Sequence, residues 1–259
     1  MDGLPFTVAG FQLFLVCLAR MAAMIGTLPV FGSGTAPARV RIGLAVMLAL
    51  LIFPVVRPYL PPPDFSPVTL GLLILGEALL GLMVGFIAQL VLTSVEVGGT
   101  IIGYKMGFAA ANVFDPQSQR QIELISQYQN VIAVLIFLAL DAHHLFLRAV
   151  VRSYELLPPG GIDIGGDAVP FLMTLVSRMF VLGIQLSAPI LAVLILASLV
   201  MGILARVFPQ LNVFMLSFPL NIGVGFLVMG LTLSLLVLML EREFGIVPER
   251  ILHLIQTFR

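Results

Sequence analysis

Charge is the scarcest property of this 259-residue chain: charged residues make up 10% of it, against about 25% in ordinary globular proteins. A water-soluble domain of this size must cover its surface with polar groups, and thirteen basic plus thirteen acidic residues are too few. That shortage excludes a soluble enzyme, a charged tail and a disordered chain. The two signs cancel to a formal net charge of zero, so no nucleic-acid partner is expected, because a phosphate backbone needs a basic surface. The single cysteine, Cys17, makes neither an internal disulfide nor a cysteine-based metal site. In its apolar run it reads as a small buried hydrophobe. Catalytic signatures are also missing: there is no nucleophile elbow, phosphate loop, His-Glu-x-x-His or dinucleotide fingerprint. Gly223-Val224-Gly225 has no strand before it and lies in an apolar run. No catalytic, cofactor-binding or metal residue is assigned. No basic stretch precedes the first apolar segment, which is expected to be an uncleaved membrane segment and not a signal peptide.

Apolar residues are abundant, at 60% of the chain with a mean hydropathy of +1.13. Met179 to Ala205 holds no charge over 27 residues, and Val207 to Leu240 none over 34. A membrane span needs about 20 apolar residues, and in lipid the backbone must satisfy itself within a helix. The expected fold is therefore an all-α integral membrane protein. Six hydrophobic helical segments are predicted, near 6–29, 40–57, 68–95, 129–151, 172–206 and 211–240. Pro29, Pro54, Pro189, Pro209 and Pro219 lie in or at the ends of these runs, which predicts kinked helix pairs packed into a larger protein body.

The basic residues give no clear orientation. Seven arginines fall on one side of a six-span arrangement and five basic residues on the other, with Arg20 left out. Three connections stand out. Arg57 to Pro67 is proline-rich and stiff. Pro158 to Gly166 is rich in turn residues. Gly98 to Gln129 is polar enough to leave lipid yet keeps Ile101, Ile102, Met106, Phe108, Val113 and Phe114, and it is expected inside an assembly or a channel.

Few residues invite a specific role. Small residues recur at four-residue spacing, Gly81 with Gly85 and Gly99 with Gly103 and Gly107. This spacing marks close helix packing or a hinge. Arg20, Glu77 and Asp141 lie within apolar runs, where a charge costs about 2.5–3.5 kcal/mol. Each must face protein, water or another charge. For Arg20 and Glu77 the readings are an ion pair, a subunit contact, or part of a proton or ion path. His143-His144 beside Asp141 suggests a metal only superficially, since adjacent helix positions point about 100° apart. A polar helix end is the expectation there.

Several motifs, in order, resemble the FliR family of flagellar biosynthesis proteins. They are Pro29-Val30-Phe31-Gly32 with Pro37 and Arg39 to Leu44; Gly76-Glu77 with Gly81 and Gly85; Gly98 to Gly107 running into Phe114-Asp115-Pro116; Asp141 to His144 with Leu156-Leu157-Pro158; and Ala188-Pro189, Gly202 to Arg206, Pro209 to Phe214 and Phe218-Pro219. The family often has Asn-Gly where this chain has Asp141-Ala142, so no essential role is given to that pair. The resemblance implies one FliR-like domain over 1–259, a core subunit of the flagellar type III export gate. It implies a hetero-oligomeric helical assembly with FliP-like and FliQ-like subunits, and an FlhB-like subunit nearby, in the inner membrane at the flagellar basal body. Unfolded flagellar proteins would pass through it, and membrane lipid would surround it. About 1–170 would be FliP-like. About 171–259 would be a FliQ-like hairpin and C-terminal tail, turning at Arg206, Pro209, Gln210 and Asn212. A plug loop would fall near 107–121, with Gly107, Phe108, Val113, Phe114, Asp115 and Pro116 as its candidate residues. The other readings are the equivalent injectisome subunit and a small secondary transporter built around Glu77. Against the transporter, the chain shows no internal repeat. Phe114-Asp115-Pro116 and His143-His144 look more flagellar.

Overall fold

The computed structural model describes residues 7–28, 37–62, 65–108, 120–161, 168–210 and 212–258. Among them are eight α-helices, one 3-10 turn and no strand. The helices are α1 (Val8–Thr27), α2 (Ala38–Val56), α3 (Pro67–Met106), α4 (Arg120–Ala139), α5 (Ala142–Leu156), α6 (Ala168–Val207), α7 (Val213–Leu231) and α8 (Leu233–Gln256), with the 3-10 turn Arg57–Tyr59 after α2. Four helices, α1, α2 with its turn, α3 and α6, are long and apolar enough to cross a membrane. Six spans result if the broken pairs α4–α5 and α7–α8 each count as one. The all-helical membrane fold expected from composition is borne out.

Helix starts follow local chemistry. The Thr7 hydroxyl accepts from the Gly10 N–H at 3.0 Å and caps α1. Ser66 accepts from the Thr69 N–H at 3.2 Å, just before Pro67 takes the first helical position of α3. Asn212 accepts from the Met215 N–H at 3.3 Å and starts α7.

Several boundaries differ from the expected ones. α3 does not end near Val95 but continues to Met106, so the first part of the expected 98–129 connection is helix. Its later part, from Arg120, is the start of α4. The glycines expected to mark close packing or a hinge are pressed by other helices. A Cβ on Gly98 would sit 2.9 Å from the Gly183 carbonyl oxygen of α6, and one on Gly99 2.6 Å from the Ser126 Cα of α4. The prolines do not set the breaks either: Pro54, Pro189, Pro219 and Pro248 lie inside helices. The two broken spans part at Asp141 and at Thr232. Asp141 adopts a left-handed backbone, φ 51°, a conformation that Asp tolerates better than most residues. The Thr232 hydroxyl donates to the Val228 carbonyl at 2.8 Å, a local bond that bends apolar helices. The segment ending at Leu240 also runs on: α8 reaches Gln256, so most of the expected tail is helix.

The chain forms two compact units that interleave in sequence: Met1–Leu90, Leu138–Val176 and Glu243–Arg259 make one, and Val91–Phe137 with Ser177–Arg242 the other. In the first, α1 packs on α2, with the rings of Phe14 and Phe53 edge to face at 6.0 Å. The end of α8 buries Phe244, Val247, Ile251 and Leu254 at helical spacing, with Phe258 buried just past it, and Glu243 accepts from Arg250 at 2.8 Å. The second unit is centred on Ile102, Met106, Ile125, Ile190, Leu194, Val228 and Met229, contributed by α3, α4, α6 and α7.

In the first unit, a Cβ on Gly81 would collide with the Arg20 carbonyl oxygen and lie 2.9 Å from the Ala23 Cβ. Backbone cannot yield there, so Gly81→Ala is expected to cost about 1–3 kcal/mol, as overpacking does. Gly43 faces open space, so Gly43→Ala is expected to be neutral or stabilising by up to about 1 kcal/mol. Thermal unfolding of the two variants in detergent checks the contrast.

Candidate functional site

Two places in the chain carry the residues singled out from the sequence. The first is built on Arg20. It sits on the buried face of α1 among Val16, Cys17, Met21 and Met24, with none of its own surface exposed. A guanidinium cannot lose its proton there, so it must be paired. Its Nε donates to Glu77 Oε2 at 2.6 Å and its Nη2 to Glu77 Oε1 at 2.9 Å, a two-pronged contact with α3. Nη1 donates to Ser153 Oγ at 2.6 Å, and Nη2 also donates to the Leu157 carbonyl at 3.2 Å. The Tyr154 ring lies 3.9 Å from the guanidinium carbon, within the range of a cation–π contact. The Tyr154 hydroxyl donates back to the Cys17 carbonyl at 3.3 Å. Arg20 thus ties α1 to α3 and to the α5 end of the same unit. Of the readings open for Arg20 and Glu77, the structure shows the ion pair within the chain.

Gly81 and Gly85 make this approach possible. A Cβ on Gly85 would collide with Thr27 Oγ1 and lie 3.0 Å from the Met24 carbonyl. They lie one and two turns beyond Glu77 on α3, and without side chains they bring α1 close enough for the pair to form. Sequence reasoning missed Ser153, Tyr154 and the Leu157 carbonyl. The available signal was a Ser-Tyr pair on a helix that buries Phe146, Ala149 and Val150.

The second place is the C-terminal end of α3 in the other unit. Gly107 ends the helix with φ +99°, which only glycine adopts without strain. Its N–H donates to the Tyr104 carbonyl at 3.2 Å. The Phe218 ring of α7 lies over it: a Cβ there would sit 2.7 Å from Phe218 Cδ1. Phe108 is half-buried and packs against the core of this unit. Gly99 packs tightly on α4, and Gly103 is buried within α3. Of the other expected plug residues, Val113, Phe114, Asp115 and Pro116 lie outside the described residues. Phe218 and Gly183 were missed as partners of the α3 glycines. At the expected hairpin turn, α6 ends at Val207 with Arg206 in its last turn, Pro209 and Gln210 form the turn, and Asn212 caps α7.

Asp141, His143 and His144 lie closer than adjacent helix positions suggested. Their potential ligand atoms are all within 4.8 Å of one another, and the two imidazole rings are 4.3 Å apart.

With this geometry in place, a family profile described as bacterial export proteins, family 1, matches residues 11–246. The chain belongs to this family. The export-family chain is similar to the flagellar biosynthetic protein FliR of Bacillus subtilis (strain 168), with 35% identity over 248 residues covering 95% of each chain. It is similar to the protein of that name from Pectobacterium carotovorum subsp. carotovorum, 35% identical over 229 residues, 87% of this chain and 86% of the relative. Against the one from Escherichia coli (strain K12) it is 32% identical over 234 residues, 90% of this chain and 89% of the relative. The resemblance to the FliR family is borne out.

The export-family chain spends its central carboxylate on Arg20, which generates a test. Glu77→Ala leaves a buried guanidinium without its main partner and is expected to cost about 3–5 kcal/mol. Arg20→Met combined with Glu77→Leu removes both charges and is expected to cost far less than Glu77→Ala alone. Unfolding of the three proteins in one detergent compares them, and a double variant as unstable as the single one would count against the pair as the source of the loss.

Proposed function

We propose that this chain is a core, non-catalytic subunit of the flagellar type III protein export gate. It joins FliP-like and FliQ-like subunits, with an FlhB-like subunit alongside, in the inner membrane at the flagellar basal body. Together they form the channel through which unfolded flagellar proteins leave the cell. The family, and the flagellar name its relatives carry, support this reading over an injectisome subunit. The commitment of Glu77 to Arg20 argues against a transporter built on a free midplane carboxylate.

One observation carries the assembly. α3 and α6 are each 40 residues long, about 60 Å at 1.5 Å per residue. The hydrocarbon core of a bilayer is about 30 Å thick. α6 leaves Ile195, Leu196, Leu199, Ile203 and Val207 more than half exposed along its second half. A bilayer cannot cover two apolar rods twice its thickness, so partner protein must cover the remainder. FliP-like packing of about 1–170 and FliQ-like packing of about 171–259 would provide matching surfaces. Co-expression with the neighbouring membrane subunits, gentle detergent extraction and native mass determination tests this. One large complex containing this chain and several copies of two smaller membrane proteins is the expected result. A stable lone monomer or homodimer would overturn the reading.

The closed gate is assigned to the loop near 107–121. Gly107 is pinned under Phe218 and Phe108 is rooted in the core, so the segment beyond starts from a fixed point. Val113 and Phe114 are its proposed stoppers, since apolar side chains at a constriction exclude water and ions by dewetting. Val113→Ala with Phe114→Ala is expected to raise ion leakage through the assembled gate. Unchanged conductance in a sealed-membrane assay would count against the plug.

A further inference from the structure

α5 is strongly two-sided. One face, with Phe146, Ala149, Val150, Ser153 and Tyr154, is buried. The opposite face carries His144, Arg148 and Arg152 at successive four-residue steps, all exposed. Like charges at that spacing repel by a few tenths of a kcal/mol. Among the described residues neither Arg148 nor Arg152 forms an ion pair of the kind Arg20 makes with Glu77 or Arg250 with Glu243. The nearby acidic groups lie toward the ends of the face. Glu155 accepts a hydrogen bond from Tyr59 at 3.1 Å, and Asp141 lies at the start of the helix.

The arginines do not face open water alone. They line a groove of about 530 Å³ whose other wall is Leu48, Leu51 and Ile52 of α2, with Leu147 and Val151 beside them and the Glu155 carboxylate at its edge. A second hollow of about 340 Å³ continues past Arg148 to His144 and Asp141. Both walls belong to the same unit, and Leu51 is 67% exposed. Two adjacent guanidinium groups beside an apolar channel match a ligand with an anionic phosphate and a hydrocarbon tail. An amphipathic helix with a basic polar face is the usual partner of anionic lipid surfaces.

We propose that the groove between α2 and α5 is a binding site for an anionic phospholipid, its phosphate on Arg148 and Arg152 and an acyl chain along Leu48, Leu51 and Ile52. The site neutralises the repelling arginine pair and covers apolar surface that the chain itself leaves open. It does not depend on the gate reading and would hold for any membrane protein with this groove.

The test uses the full-length chain in detergent, with co-purifying subunits retained, titrated with a fluorescent dioleoyl phosphatidylglycerol and, separately, its phosphatidylcholine counterpart. The anionic probe is expected to bind at least tenfold more tightly. Arg148→Gln with Arg152→Gln is expected to weaken it tenfold or more and abolish the preference. Leu51→Trp, which fills the apolar wall and leaves both arginines in place, is expected to weaken both probes. Unfolding temperatures without added lipid report whether each variant is folded, and the exposed positions of all three residues predict no change. Equal binding of the two probes, or unaltered binding by the folded arginine variant, would overturn the proposal. Complete displacement by millimolar inorganic phosphate, with Leu51→Trp without effect, would make this a free-anion site and overturn the lipid assignment. Loss of a co-purifying subunit from the arginine variant, with lipid binding unchanged, would assign the groove to a protein partner instead.

Discussion

The guanidinium of Arg20 is fully buried on a helix whose neighbours are apolar, and it cannot shed its charge. Every other arrangement in its unit has to bring partners to it. Glu77 must face it from α3, Ser153 and the Leu157 carbonyl must reach it from α5 and its end, and Tyr154 must lie alongside. Such a pair adds little net stability, because desolvation offsets most of the attraction. Its consequence is alignment. A helix that slid by one turn would keep its apolar contacts, since Leu, Val and Ile are interchangeable along these faces, but it would strand a charge. In a chain with 10% charged residues, a buried charge is one of few features able to distinguish one register from the next.

Alignment by a short ion pair requires backbones to come close, and glycine makes that possible on α3. Gly81 and Gly85 admit α1 in one unit, and Gly98 and Gly99 admit α6 and α4 in the other. The same helix therefore serves two packing units with the same device. Without a hydrophobic driving force between apolar helices in lipid, such close van der Waals contact is a main source of association. The contact between Gly98 and Gly183 is mutual: a Cβ on Gly183 would lie 2.9 Å from the Ser94 carbonyl and press on Val97.

The sequence made legible what composition and isolated exceptions can mark. Long uncharged runs located the helices, and Arg20 and Glu77 stood out because a charge in such a run needs a partner. Gly81 and Gly85 were visible by spacing. Less visible were features that depend on what lies across from a residue. The stretch from Gly98 was set apart because it is polar enough to leave lipid, yet α3 runs on through it, with Gly98 packed on α6 and Gly99 on α4. The charges after Leu240 suggested a tail, yet their alternation with Phe244, Val247 and Ile251 gives α8 an apolar face that its unit buries. Prolines drew attention as kink sites, whereas the breaks fell at Asp141 and Thr232, where a left-handed residue and a hydroxyl compete with the helix backbone. The interleaving of the two compact units has no local signal at all, because it is set by contacts between distant stretches.

The breaks and the long helices answer the same constraint from opposite directions. α3 and α6 exceed a bilayer's thickness without interruption, while α4–α5 and α7–α8 are bent by 64° and 54° at their breaks. A chain designed to sit as an ordinary bundle in lipid would have neither. Apolar rods longer than the membrane need a protein sleeve, and broken rods need neighbours to satisfy the freed polar groups at the breaks. At the breaks the chain meets much of the second need itself: the Asp141 N–H donates to the Leu138 carbonyl at 3.1 Å and the Thr232 N–H to the Val228 carbonyl at 2.9 Å. The first need stays open along α6, whose second half leaves Ile195, Leu196, Leu199, Ile203 and Val207 more than half exposed for lipid or other protein to cover.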